Sequence, residues 1–126
     1  MLCTSLIAPD EYTYPMDFDE YQKLATRTAT IGDDQKTLQL YDLGLGIAGE
    51  AGEVAEKLKK AIRDDGAVIT EERKDALKKE IGDVLWYLSQ LSRVLGFQFS
   101  DVAQTNIDKL WKRYEQNQVH GNGDNR

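Results

Sequence analysis

Apolar residues recur at threes and fours along most of this chain, and the places where that rhythm stops divide it into four segments. Phe18, Tyr21, Leu24, Ala25 and Thr28 have helical spacing, and Asp17 with Glu20 three positions on resembles a capping box at the start. Gly32-Asp33-Asp34 interrupts the pattern. From Lys36 to Asp64, Leu40, Leu43, Ile47, Val54, Leu58 and Ala61 keep the period without a proline, which predicts one long helix stopped at Gly66. Thr70 is placed to cap a second long helix through Leu77, Ile81, Val84, Leu88, Leu91 and Leu95, ended by Gly96. Ser100 is expected to cap a shorter helix through Val102, Ala103, Ile107, Leu110 and Trp111.

No segment keeps a strand period, so the expected fold is all-α: a helical bundle with two long antiparallel central helices and two shorter flanking ones. Residues 1–16 hold both prolines, Pro9 and Pro15, and read as an extended N-terminal arm; 17–115 read as one helical domain; 116–126 are polar and rich in Gly and Asn, and read as a mobile tail. Two long helices and two short ones hardly enclose a core and a ligand pocket together. The bundle is therefore expected to be completed by oligomerisation.

Composition narrows the function. At 126 residues and 40 % hydrophobic, the chain suits one globular domain. The excess of 22 Asp plus Glu over 16 Lys plus Arg, a net charge of −6, argues against nucleic acid as a partner, since binders neutralise phosphates with a basic face. A phosphorylated small ligand remains compatible if a bound metal offsets its charge. Cys3 is the only cysteine and His120 the only histidine, so neither a disulfide nor a Cys/His zinc site is available, and a reducing, cytoplasmic setting fits. No stretch has the length of apolar residues a membrane span needs.

Against this background two stretches echo each other thirty positions apart: Glu50-Ala51-Gly52-Glu53-Val54 and Glu80-Ile81-Gly82-Asp83-Val84. With about 100° per residue and Glu80 at zero, Val84, Leu88, Leu77, Leu91 and Leu95 fall within roughly 20–80°. Glu80 thus lies inside the apolar stripe, and Asp83, roughly 60° the other way, at its edge. Glu50 and Glu53 stand in the same relation to Val54, Leu58, Ile47 and Leu43. One Glu-x-x-Glu pair on a helix is usually a solvated face. Two matched pairs that both intrude on apolar stripes are not, because ionised carboxylates on a buried face need a cation. The oxygen-only ligand set of Glu50, Glu53, Glu80 and Asp83 selects Mg²⁺, with Mn²⁺ as a substitute. Gly52 and Gly82, between the acids, are expected to allow close helix approach. The flanking Glu56, Lys57, Lys59, Lys60, Glu71, Glu72, Arg73 and Lys74 read as ordinary surface charge.

Asn106, Lys109 and Arg113 share one face of the last helix and are candidates to hold phosphate oxygens; a solvated basic stripe near a helix C-terminus is the plainer alternative. Tyr87 follows Asp83 by one turn, so its hydroxyl is placed to face the acids. Trp86 and Trp111 read as core.

The run Gly44 to Lys57 with its Glu50 and Glu53, then Glu80-Ile81-Gly82-Asp83-Val84-Leu85-Trp86-Tyr87-Leu88, then Asn106-Ile107-Asp108-Lys109-Leu110 through Arg113-Tyr114, resembles the MazG-like nucleotide pyrophosphohydrolases of the all-α pyrophosphatase group. Glu20-Tyr21-Gln22 with Ala25 and Arg27-Thr28-Ala29 is similar to their opening helix. The resemblance implies Mg²⁺ held by Glu50, Glu53, Glu80 and Asp83, substrate contacts from Asn106 and Lys109, and hydrolysis of a nucleoside triphosphate to monophosphate and pyrophosphate. It also implies a homodimer or homotetramer. Relatives commonly carry proline after the Arg-Tyr pair, where this chain has Glu115. On this reading Glu53 orients or deprotonates the attacking water as the catalytic carboxylate, Asn106, Lys109 and Arg113 steady phosphates, Gln22 with Tyr21 serves the base and sugar pocket, and Tyr87 contacts the substrate. The alternatives are an enzyme dedicated to dUTP or phosphoribosyl-ATP, and a non-catalytic helical dimerisation module.

Overall fold

The computed structural model describes residues 15–30 and 35–116. The arm up to residue 14, the tail from residue 117, Cys3, His120 and the Gly32-Asp33-Asp34 break lie outside the described residues. All regular structure within them is helical: α1 (Phe18–Thr26), α2 (Lys36–Asp64), α3 (Glu71–Val94) and α4 (Phe99–Glu115).

The ends follow from local chemistry. The Asp17 carboxylate accepts from the Glu20 N–H at 2.8 Å, and the Thr70 hydroxyl accepts from the Arg73 N–H at 3.2 Å, each satisfying a donor that the first helical turn leaves unpaired. After α3, Gly96 takes φ +83°, its N–H bonds the Arg93 carbonyl, and the Phe97 N–H bonds the Ser92 carbonyl at 2.8 Å, a Schellman stop. Ser100 does not cap α4. The helix starts at Phe99 after Gln98, and the Ser100 N–H and hydroxyl both donate to the Asp19 carboxylate, at 2.8 and 2.6 Å. A side chain of α1 thus does the capping that a local side chain was expected to do.

α2 and α3 pack along their length as an antiparallel pair, with Gly46 against Tyr87, Lys57 against Glu80 and Arg73 against Asp65. α1 lies on α3 and α4; α4 touches α1 and α3 but not α2. Gln22 fixes α1, its Nε2 donating to the carbonyls of Ser89 (3.0 Å) and Phe97 (3.1 Å). Trp86 Nε1 donates to Thr28 Oγ1 at 2.7 Å, and Phe99 packs edge-on to Phe18.

Among the described residues the buried set is small and mixed: Ala25, Leu43, Ala61 and Phe99 with Gln39, Ser89, Gln90, Ser92 and Arg113. Much of the long apolar stripe read from the sequence is not covered within one chain. Ile81 is 57 % exposed, Leu88 39 % and Leu95 49 %. Spaced at sevens, they drift along the flank of α3, and α1 covers the face carrying Ser89 and Ser92 instead.

Candidate functional site

Of the four acids, three converge. One carboxylate oxygen from each of Glu50, Glu80 and Asp83 lies within 4.8 Å of the others, the first from α2 and the last two from successive turns of α3. Helix phase explains the grouping: Glu50 faces α3 directly, and Glu80 and Asp83 are neighbours at i and i+3 on the facing helix. Glu50 and Glu80 are half-buried and Asp83 is exposed, so the group sits at the mouth of the α2–α3 seam. Glu53, expected to join them, does not. It lies one turn further along α2, and its side chain is exposed.

Three carboxylates this close repel one another, and the set fits a hard divalent cation, since Mg²⁺ takes oxygen ligands and commonly only a few carboxylates with water completing its shell. Lys57 supplies part of the compensation, its Nζ standing 3.2 Å from Glu80 Oε1. By spacing alone Lys57 belongs with the surface charges. The available signal was its position seven residues after Glu50, two helical turns along the same face. Lys57 and Glu80 also line an open cavity of about 660 Å³ with Glu72, Asp75, Ala76 and Lys79.

Tyr21 brings α1 to the group. Burial first, and then the nearby Asp83 carboxylate, push its phenol above the ordinary value. Gln22 points elsewhere, its amide hydrogens engaged with backbone carbonyls. Tyr87 presses its ring on Gly46, where a Cβ would overlap the ring carbons; a Cβ at Gly52 or Gly82 would meet nothing within 4 Å. The close approach of the helices is therefore at Gly46, not at the two glycines between the acids. On α4, Asn106 is exposed, Lys109 half-buried and Arg113 buried. Buried Gln39 and Gln90, with Leu43 and Trp86, line a separate cavity of about 30 Å³, room for a water or two; nothing in the periodicity announced it.

Comparison with known proteins bears on these acids directly. Residues 38–117, which carry both acidic pairs and the polar face of α4, match the MazG nucleotide pyrophosphohydrolase domain. The "Gene 37 protein" of Mycobacterium phage L5 is 43 % identical over 114 residues, which cover 88 % of this chain and all of the relative. That name states no activity. No solved structure matches the chain.

Proposed function

This chain belongs to the MazG nucleotide pyrophosphohydrolase family, and from that premise we propose that it hydrolyses nucleoside triphosphates, deoxy forms included, to the monophosphate and pyrophosphate with Mg²⁺ as cofactor. The observation that carries this reading is the meeting of Glu50, Glu80 and Asp83 across the α2–α3 seam, inside the matched residues.

Glu50, Glu80 and Asp83 would hold the cation. When bound, it offsets phosphate charge and lowers the pKa of a water molecule. Glu53, one turn on and open to solvent, is the carboxylate left to orient that water or take its proton. Lys109, Arg113 and Asn106 steady phosphate oxygens by position and charge. Since α4 does not touch α2, they act from across α3 or from a second copy of the chain. Tyr21, beside Asp83, and Tyr87 border the nucleoside. Gln22 contributes by holding α1 in place, which makes it a positioning residue here.

The assembly is a homodimer or homotetramer. Support comes from the uncovered apolar side chains of Leu58, Ile62, Ile81, Leu88 and Leu95 on the two long helices.

A panel of ribo- and deoxynucleoside triphosphates incubated with Mg²⁺ and followed by pyrophosphate release tests the activity. Glu50→Gln and Glu80→Gln are expected to lower turnover at least about 100-fold, the scale of losing a well-placed electrostatic group. No release from any nucleotide, or undiminished release from both variants, refutes the proposal. Among the described residues no helix is long and apolar enough to cross a membrane.

A further inference from the structure

A cation of the chain's own already stands beside the acids. Lys57 Nζ lies 3.2 Å from Glu80 Oε1, and this pair is more enclosed than Lys60 with Glu56 or Lys74 with Glu71: its side chains are 29 % and 18 % exposed, against 35 % and 41 % for Lys60 with Glu56. Its position also differs, because Glu80 is one of three carboxylates grouped within 4.8 Å, whereas Glu56 is not in that group. Lys57 therefore reduces a local charge of three negatives to two. A divalent cation entering among the same oxygens takes that local charge from three negatives to one and competes with the ammonium for the Glu80 oxygen, and two cations a few ångströms apart repel by more than thermal energy near a protein surface. A lysine can respond, being a compact charge on a flexible four-carbon stem. Space is available, for Lys57 lines the open cavity of about 660 Å³ beside Glu80 and a second of about 420 Å³ toward Arg73 and Thr70.

We propose that Lys57 is an exchangeable counter-ion of this site: it neutralises Glu80 while the metal is absent, gives Glu80 up when the metal binds, and then offers its ammonium to the phosphate groups of the nucleotide and of released pyrophosphate. This rests on the metal and substrate assignment above and deepens it. Metal and Lys57 compete for one carboxylate, so metal affinity is set below what the three acids alone would give. The freed charge appears only in the state that receives substrate.

The test measures binding rather than turnover. Mg²⁺ is titrated calorimetrically into the full-length wild type and into Lys57→Met, with Lys57→Gln as a second variant in case the first folds poorly, folding being checked by circular dichroism. Removal of the competing charge is expected to tighten Mg²⁺ roughly fivefold, the upper end of a partly exposed ion pair converted to an equilibrium constant. Inorganic pyrophosphate, titrated in saturating Mg²⁺, is expected to bind roughly fivefold more weakly to the variant. Lys60→Met makes the same change of net charge outside the acid group and serves as the control, with Mg²⁺ affinity within about twofold of wild type. Equal Mg²⁺ affinity in wild type and Lys57 variants, equal tightening by Lys60→Met, or unchanged pyrophosphate binding overturns the inference and leaves the metal site standing. Absence of Mg²⁺ binding to every protein removes the metal site, and this inference with it.

Discussion

Adding one methyl group at two positions of α2 should have opposite effects. At Gly52 an added Cβ meets nothing within 4 Å, so Gly52→Ala gains only the helix propensity, about 1 kcal/mol of stabilisation. At Gly46 the same methyl falls on the Tyr87 ring, with the Cζ atom at 2.6 Å and two ring carbons closer still. Ordinary carbon contacts are about 3.5–4.0 Å, so the ring must retreat by about an ångström or more. It cannot do so without disturbing Trp86, which it meets edge-on at a 5.0 Å centroid distance. Overpacking costs about 1–3 kcal/mol and a lost aromatic pair about 0.5–1.5 kcal/mol. Set against the propensity gain, Gly46→Ala should lose about 2 kcal/mol. The two variants should then differ by about 3 kcal/mol, although the substitutions are chemically identical and six residues apart on one helix.

Urea unfolding followed by helical circular dichroism measures this, the shift in midpoint being interpretable where the denaturant slope stays constant. A double-mutant cycle isolates the cause: in a Tyr87→Ala background, Gly46→Ala should become stabilising because the ring it strikes is gone. If Gly46→Ala alone is as stable as wild type, or its cost persists without the ring, the close approach at Gly46 is not what fixes Tyr87.

Three further outcomes follow from particular contacts. Ala67 holds φ +65° without being glycine, so Ala67→Gly should raise stability by about 0.5–1 kcal/mol despite the greater freedom of the unfolded chain, read as a higher urea midpoint. The Ser100 hydroxyl, and then its backbone N–H, hold the Asp19 carboxyl below its ordinary 3.8; its contribution is therefore complete above that value and lost as pH falls through the depressed one, so the stability gap between wild type and Asp19→Asn should be present at neutral pH and close in acid. Ile81→Glu puts a charge on the uncovered flank of α3 and should convert an oligomer to monomer in light scattering with little change in helix content; an unchanged mass refutes the role given to that flank.

Positions along one helix axis were legible from spacing, and so were most of the ends. Asp17 and Thr70 cap, and Gly66 and Gly96 take the positive φ that a helix stop uses. The same phases put Glu50, Glu80 and Asp83 on facing sides of two helices, which is why most of the acid group could be foreseen. What spacing cannot carry is which neighbour covers a given flank. Ser100 looked like a local cap, but its donors answer to Asp19, 81 positions earlier in the chain. Gly52 and Gly82 looked like contact points because they lie between the acids, whereas the contact is made at Gly46, where an aromatic ring from the other helix arrives. Lys57 looked like solvated charge because its partner lies on another helix.

The division of labour between polar and apolar contacts explains how so small a buried core can position a site. Apolar faces attract without fixing an angle, and the long helices leave part of theirs uncovered. The α1–α3 contact is instead directional: Gln22 reaches the Ser89 carbonyl, Gln90 reaches Thr26 Oγ1 at 3.3 Å, and Trp86 reaches Thr28. Ser89 and Ser92, buried there, answer the carbonyls of Trp86 and Leu88 through their hydroxyls, so little polar capacity on that face is left for α1 to meet in another register. A one-residue slip of α1 would break these bonds together, at about 1 kcal/mol each and more where a buried group is left unmet. Tyr21 is adjacent to Gln22 in the chain, so the bonds that set the register of α1 also set the distance from the phenol to Asp83. Polar residues in the interior are thus what ties the first helix to the acids, and a more apolar interface of equal area would hold that helix without placing it.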